Sequence, residues 1–438
     1  MLTRVLRIAL VVALSLELQV AVKAQASSSG ESSMLRPPPV SDESYHTEVG
    51  LEERSNFISG SIEAGFGYID NLAPGSTGGQ VSEKIISLQP GIALDTKSAR
   101  EHLSASYNPS FLFYEPSSDL NENDQGAVFR FEYRFSPRFN MNLGDTLLRS
   151  STGFAQIGSG GISGSTQATT PGIILPFGRR FSNDATGGLS YQISPHGMIG
   201  GSGNVDTLNF SNSSQTAGLY NSNTYSGRGF YNYRLSASQY LGGIYEFAQT
   251  VTDSTTSQYE TQTNTIDGFY TIYLTKRLSL SVAGGPQHYH GEQAPNPATH
   301  GWTPAVTASV GWQNLRTSFA GDFSRTVNGG GGLFGAFYST SADAIGRWQI
   351  SRLWNAGLIV NYTNNKSAAP GSGLTSPGGH TFATSLSLGR SLSRHMNANL
   401  RYDRIENQYG SIPSVATNPN SNRIMLSLTG GFQRPIGR

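Results

Sequence analysis

The sequence predicts an all-β chain: a transmembrane antiparallel up-and-down β-barrel of about 18 strands, with short periplasmic turns and long extracellular loops. Three observations carry this. From Asn56 onward apolar and polar residues alternate with period two, as in a strand with one greasy and one wet face. Tight turns and longer polar loops alternate along the rest of the chain. The segments between them run to about 10–14 residues, near the 9–11 that a tilted strand needs to cross a bilayer and longer than the five or six usual in soluble sheets.

The first residues carry an address. Arg4 and Arg7 precede the apolar run 8–16 (IALVVALSL), and VAVKAQAS supplies small residues for cleavage after Ala24 or Ala26. That is the layout of a secretory signal peptide, residues 1–26, with an apolar run too short to span a bilayer. Residues 27–55 are Pro- and Ser-rich without periodicity and read as a flexible polar segment ahead of a barrel at 56–434. The lack of Cys fits an exported chain that does without disulfides and excludes a lipid anchor on an N-terminal Cys.

The strands show their two faces plainly. Ala127, Phe129, Phe131, Tyr133 and Phe135 share one face, and Val128, Arg130, Glu132 and Arg134 the other. Comparable splits occur at 278–282, 305–312, 396–403 and 424–432. Tight turns are expected near 95–100, 136–138, 194–196, 236–238, 275–277, 313–315, 351–353 and 392–394. Longer Gly/Ser/Asn/Pro-rich loops are expected near 71–81, 116–125, 151–183, 212–224, 254–263, 291–302, 328–337, 365–378 and 409–421. The tracts GSGGISG (158–164) and NGGGGLFG (328–335) lack the Lys-Ser/Thr and helix of a phosphate loop and read as flexible loop tips. In loop 151–183, PGIILPFGRRF has an apolar centre that could fold inward as a constriction or cover the mouth.

No stretch beyond the signal approaches the roughly 20 apolar residues of a membrane helix, so a membrane form must be built from strands. In hydrocarbon every backbone amide must be paired within the protein, and only closure removes both sheet edges. Trp312, Trp348 and Trp354 lie within a few residues of tight turns, where an interfacial aromatic girdle belongs. A net charge of +1 with 13 % charged residues provides no basic stripe and excludes nucleic acid as a partner.

The signal peptide, hairpins such as YRFSPRFNMNLG (133–144) and the amphipathic last strand RIMLSLTGGF (423–432) resemble bacterial outer-membrane β-barrels, in style the β-barrel porins of Gram-negative bacteria. The resemblance is one of pattern and covers 56–434. Such barrels usually end on an aromatic residue, whereas here Phe432 is followed by QRPIGR. The resemblance implies residence in the cell outer membrane and passive passage of small solutes. It also implies outer-membrane lipid and the barrel assembly machinery as partners, and allows a homotrimer.

Nine charges on the polar faces are expected to line the pore: Glu63, Arg130, Glu132, Arg134, Arg234, Arg316, Asp322, Arg401 and Asp403. They would tune solute selectivity or pair across strands. No residue set reads as a catalytic centre, a cofactor pocket or a metal site. His288 and His290 in GPQHYHG share a face, but with only Glu292 nearby they fall short of the three or four ligands of a metal site and read as loop decoration. His102 and Ser104 in REHLSASY also share a face, without a recognisable third group to orient them. Three other readings stay open: a barrel for polysaccharide or protein export or surface assembly, an outer-membrane lipid hydrolase, and a secreted soluble all-β protein.

Overall fold

The computed structural model describes residues 56–71, 82–151, 154, 178–211, 219–253, 258–275, 277–293, 296–329, 331–333, 335–368, 378–409 and 420–436. The signal peptide, the segment 27–55, GSGGISG and the apolar centre of PGIILPFGRRF lie outside them. The strands are β1 Phe57–Ile69, β2 Glu83–Lys97, β3 Glu101–Glu115, β4 Glu122–Ser136, β5 Phe139–Ser150, β6 Arg180–Gln192, β7 Gly197–Phe210, β8 Asn221–Ser236 and β9 Gln239–Asp253. They continue with β10 Gln258–Thr275, β11 Leu278–Gln293, β12 Asn296–Gln313, β13 Thr317–Asn328, β14 Phe337–Gln349, β15 Trp354–Ser367, β16 Gly379–Ser391, β17 Met396–Gln408 and β18 Asn420–Pro435. Each strand pairs antiparallel with its sequence neighbours, and β1 pairs with β18 from Phe57↔Pro435 to Ile69↔Arg423. The sheet is therefore a closed 18-stranded barrel without a free edge.

Local side-chain chemistry explains the short turns. Ser98, Ser136, Ser194, Ser236, Thr275, Ser351 and Ser393 each place a hydroxyl where it accepts a backbone N–H from two or three residues ahead. Asn314 accepts from the Leu315 amide through Oδ1. A hydroxyl or carboxamide bonding back to its own chain fixes a tight reversal without requiring Gly. All eight turns fall where the sequence places them.

Contacts between distant strands identify the lumen. Gly332, just beyond β13, lies against Leu208 and Phe210 of β7, and Gly329 lies against Thr250 of β9. Strands so far apart in the sheet order meet only across the interior, so the face bearing Leu208, Phe210 and Thr250 looks inward. The opposite face carries the exposed large apolar residues, among them Phe66, Tyr107, Phe129, Phe135, Ile266, Tyr270 and Leu426. On β12 the outward Trp302 and Trp312 mark the two rims of this belt. Ten residues at about 3.4 Å each, tilted by about 40°, climb about 26 Å, the height of a lipid-facing band.

The strands run from 12 to 18 residues, longer than expected. The surplus lies on the long-loop side. In β10 the outward face changes from Ile266, Gly268, Tyr270, Ile272 and Leu274 to Asn264, Gln262, Glu260 and Gln258. Here the wall stands clear of the apolar belt and meets water on its outside as well. Polar residues on both faces made 122–125, 221–224, 258–263 and much of 291–302 look like loop, yet they continue the ladder.

Candidate functional site

Two inward-folded elements and a charged wall shape the interior. The first element is the outer end of the β13–β14 hairpin. Pairing between β12 and β13 stops at Val306↔Arg325, while β13 stays paired with β14 as far as Asn328↔Phe337. The freed end tips into the lumen, where Gln287 of β11 bonds both backbone groups of Val327. Beyond it, Leu333 and Phe337, both 0 % exposed, pack with Leu219, Tyr409 and Phe210. Tyr220 donates its amide to the Gly332 carbonyl at 2.9 Å, and Ala368 donates to Ala336 at 2.9 Å. A second cluster, Tyr259, Tyr289, Val327, Ala336 and Ala368, seals the hairpin against β10 and β11.

The Gly-rich tract 328–335 is thus not a free tip: its described residues line a bridge across the interior to the β7–β9 side of the wall. Gly332 (φ +94°) and Gly335 (φ +125°) take backbone conformations open to Gly. A Cβ at Gly332 would stand 2.8 Å from the Phe210 ring, and one at Gly329 would stand 2.3 Å from Thr250.

The second element begins the long loop after β5. Ser151 donates its amide to Asp124 Oδ1 at 2.7 Å, and Gly178 donates to the Ser151 carbonyl at 2.8 Å, closing the loop's base. Phe154 is fully buried among Ile69, Ile85, Leu112, Tyr114, Ala383 and Ile405. Arg179 at the loop's end pairs with Glu122 at 2.6 Å, and this partner holds its guanidinium above the ordinary Arg range. The described part of this loop therefore enters the lumen.

Below these elements the wall is charged. Asp403, 0 % exposed, accepts from Arg401 Nε at 2.6 Å and from Arg423 Nη2 at 2.7 Å and Nε at 3.0 Å. The Arg423 guanidinium sits 4.7 Å from the centre of the Phe154 ring, joining the network to the inserted loop. Arg423 shares the face of Met425 and Ser427, so extending that face by one step would have found it.

The other expected pore charges fall as follows. Glu63 on β1 accepts from Thr429 Oγ1 at 3.1 Å. Arg130, Glu132 and Arg134 alternate with the outward aromatics of β4 and face inward. Asp322 stands opposite Asp343 across β13 and β14. Arg234 donates to the Ser236 carbonyl at the β8–β9 turn, and so sits at the short-turn rim. Arg316 lies in the β12–β13 turn instead of a strand, outside the wall it was expected to line. The sequence reading passed over Arg228, Glu246 and Asp267, which share the inward face of β8, β9 and β10.

His102 does have a neighbouring carboxylate: its Nε2 lies 3.2 Å from Asp95 Oδ2. Asp95 stands opposite Ser104 in the register, yet no hydrogen bond joins Ser104 to His102.

No family model matches the chain, and no curated protein does. Among solved structures, it is similar to OccAB2 from Acinetobacter baumannii (TM-score 0.41, 10 % identity, covering 86 % of this chain and 98 % of that one). It is similar also to OccK2 (OpdF) from Pseudomonas aeruginosa (TM-score 0.40, 10 % identity, 87 % and 99 % covered). A third is the FrpB iron transporter from Neisseria meningitidis (TM-score 0.43, 9 % identity, 86 % and 83 % covered).

Proposed function

We infer that this chain is an outer-membrane, porin-like channel that passes small polar solutes passively and carries no catalysis. The observation behind this reading is the combination of a closed 18-stranded wall with an apolar outside and a charged inside. Barrels of 16 to 18 strands enclose an aqueous channel wider than their own side chains fill. The apolar belt needs lipid around it, and an export signal at 1–26 would carry the chain across the inner membrane toward it.

The inward hairpin and the Phe154 loop narrow the loop-side half of this lumen. Their burial of Leu333, Phe337 and Phe154 makes the path selective by size, and the Asp403 network below it sorts solutes by charge. Liposome swelling tests this: purified barrel should admit small sugars and exclude larger oligosaccharides. Liposomes that never swell with any solute would refute it. The hydrolase reading is tested with Ser104→Ala, which should leave swelling intact and abolish no lipid or peptide hydrolysis.

A further inference from the structure

We propose that His288, His290 and His300 form a binding site for a borderline divalent metal ion, such as Cu2+ or Zn2+, on the outer surface of the barrel above the apolar belt. The strand register brings these residues together. His288 and His290 share the outward face of β11, and His300 of β12 stands directly opposite His290. Directly opposed residues hold their Cβ atoms about 4.5–5.5 Å apart, and the next on the same face lies about 7 Å away. Three imidazoles can therefore reach one ion from two adjacent strands, a ligand number that leaves a coordination position for water.

The surroundings favour a cation. Glu292 Oε2 lies 3.8 Å from His290 Nε2, and Glu260 stands opposite Glu292 in the register. No Lys or Arg occurs at 258–264, 286–292 or 298–304, the stretches that make up this patch. β10, β11 and β12 are among the longest strands, and His288, His290 and His300 lie where β11 and β12 pair in register, just before the register shift between Gly291 and Gln293. Imidazoles with a nearby carboxylate suit Cu2+, Zn2+ or Ni2+ over Mg2+ or Ca2+. Among the described residues no three such groups already converge on a point. The ion closes the site by turning His288 away from Trp302, whose ring centre lies 5.0 Å from it.

That neighbour supplies the readout. Full-length barrel without a histidine tag, in detergent, is titrated with Cu2+ while Trp fluorescence is followed, and Zn2+ is added as a competitor. One equivalent should quench a component that disappears in Trp302→Phe. His290→Ala and His300→Ala should each weaken binding about tenfold or more, the scale on which even outer partners affect a metal site. Paramagnetic resonance should show nitrogen coupling from imidazole. Heat-modifiable gel mobility verifies that each variant is folded, and His288→Ala provides a further exposed substitution. Absence of binding to the unaltered chain, or equal affinity in the His290 and His300 variants, would overturn the site.

Discussion

The side-chain amide of Gln287 takes the place of a missing strand for Val327: its Oε1 accepts the Val327 amide at 2.6 Å and its Nε2 donates to the Val327 carbonyl at 3.2 Å. Where β13 leaves β12, two buried backbone groups would otherwise lose their partners. One residue on β11 thus satisfies the backbone at the point where the hairpin turns into the lumen.

Gln287→Leu keeps the volume and removes both bonds. Leaving a buried backbone donor or acceptor unsatisfied costs about 1–3 kcal/mol, and the hairpin can avoid that cost by swinging into water. Single-channel recordings should show larger or noisier conductance steps with an unchanged barrel melting transition. A variant that conducts like the parent would show that Gln287 does not hold the hairpin.

Gly332→Ala attacks the same bridge from its tip. The added Cβ meets Phe210, and a positive φ costs a non-Gly residue on the order of 1 kcal/mol or more. Loosening should appear as faster protease cleavage in the 329–336 segment of folded barrel, while Gly346→Ala, with its nearest neighbour at 3.9 Å, should be close to silent.

Asp403→Ala leaves Arg401 and Arg423 without their shared carboxylate. Breaking a buried pair by removing one partner typically costs about 3–5 kcal/mol. Denaturant unfolding in detergent should register that loss. Phe154→Ala, which empties a fully buried site and removes the ring beside Arg423, should cost a comparable amount, about 3–5 kcal/mol.

Opposite faces of one strand should respond oppositely to the same charge. Leu426→Arg places a cation on the lipid face near the middle of the belt, at a cost of about 2–4 kcal/mol. Thr429→Arg, on the half-buried inward face beside Glu63, should cost less and should shift ion selectivity toward anions. Equal destabilisation by the two would contradict the assignment of faces.

The eight turns were legible in the sequence because their chemistry is local: Ser98 or Ser351 bonds its own backbone wherever the chain goes. The lipid belt was legible because Phe129, Phe131, Tyr133 and Phe135 alternate with charges. The strand ends were not. Around Gln258–Thr263 both faces are polar, since above the belt water wets the outside, and period-two hydropathy disappears there. The inward hairpin was hidden for a different reason. A run of glycines says nothing of Phe210, Thr250 and Tyr409, which three other strands and their ends bring to meet it. Likewise His300 joins His290 only through the register of β11 and β12.

Conductance across a planar lipid bilayer tests the central claim most directly. The unaltered barrel should open in small discrete steps, and a barrel whose residues 329–336 are replaced by a short turn should open in larger ones. Silence from both, or identical steps from the two, would contradict a solute channel narrowed by its own inward-folded hairpin.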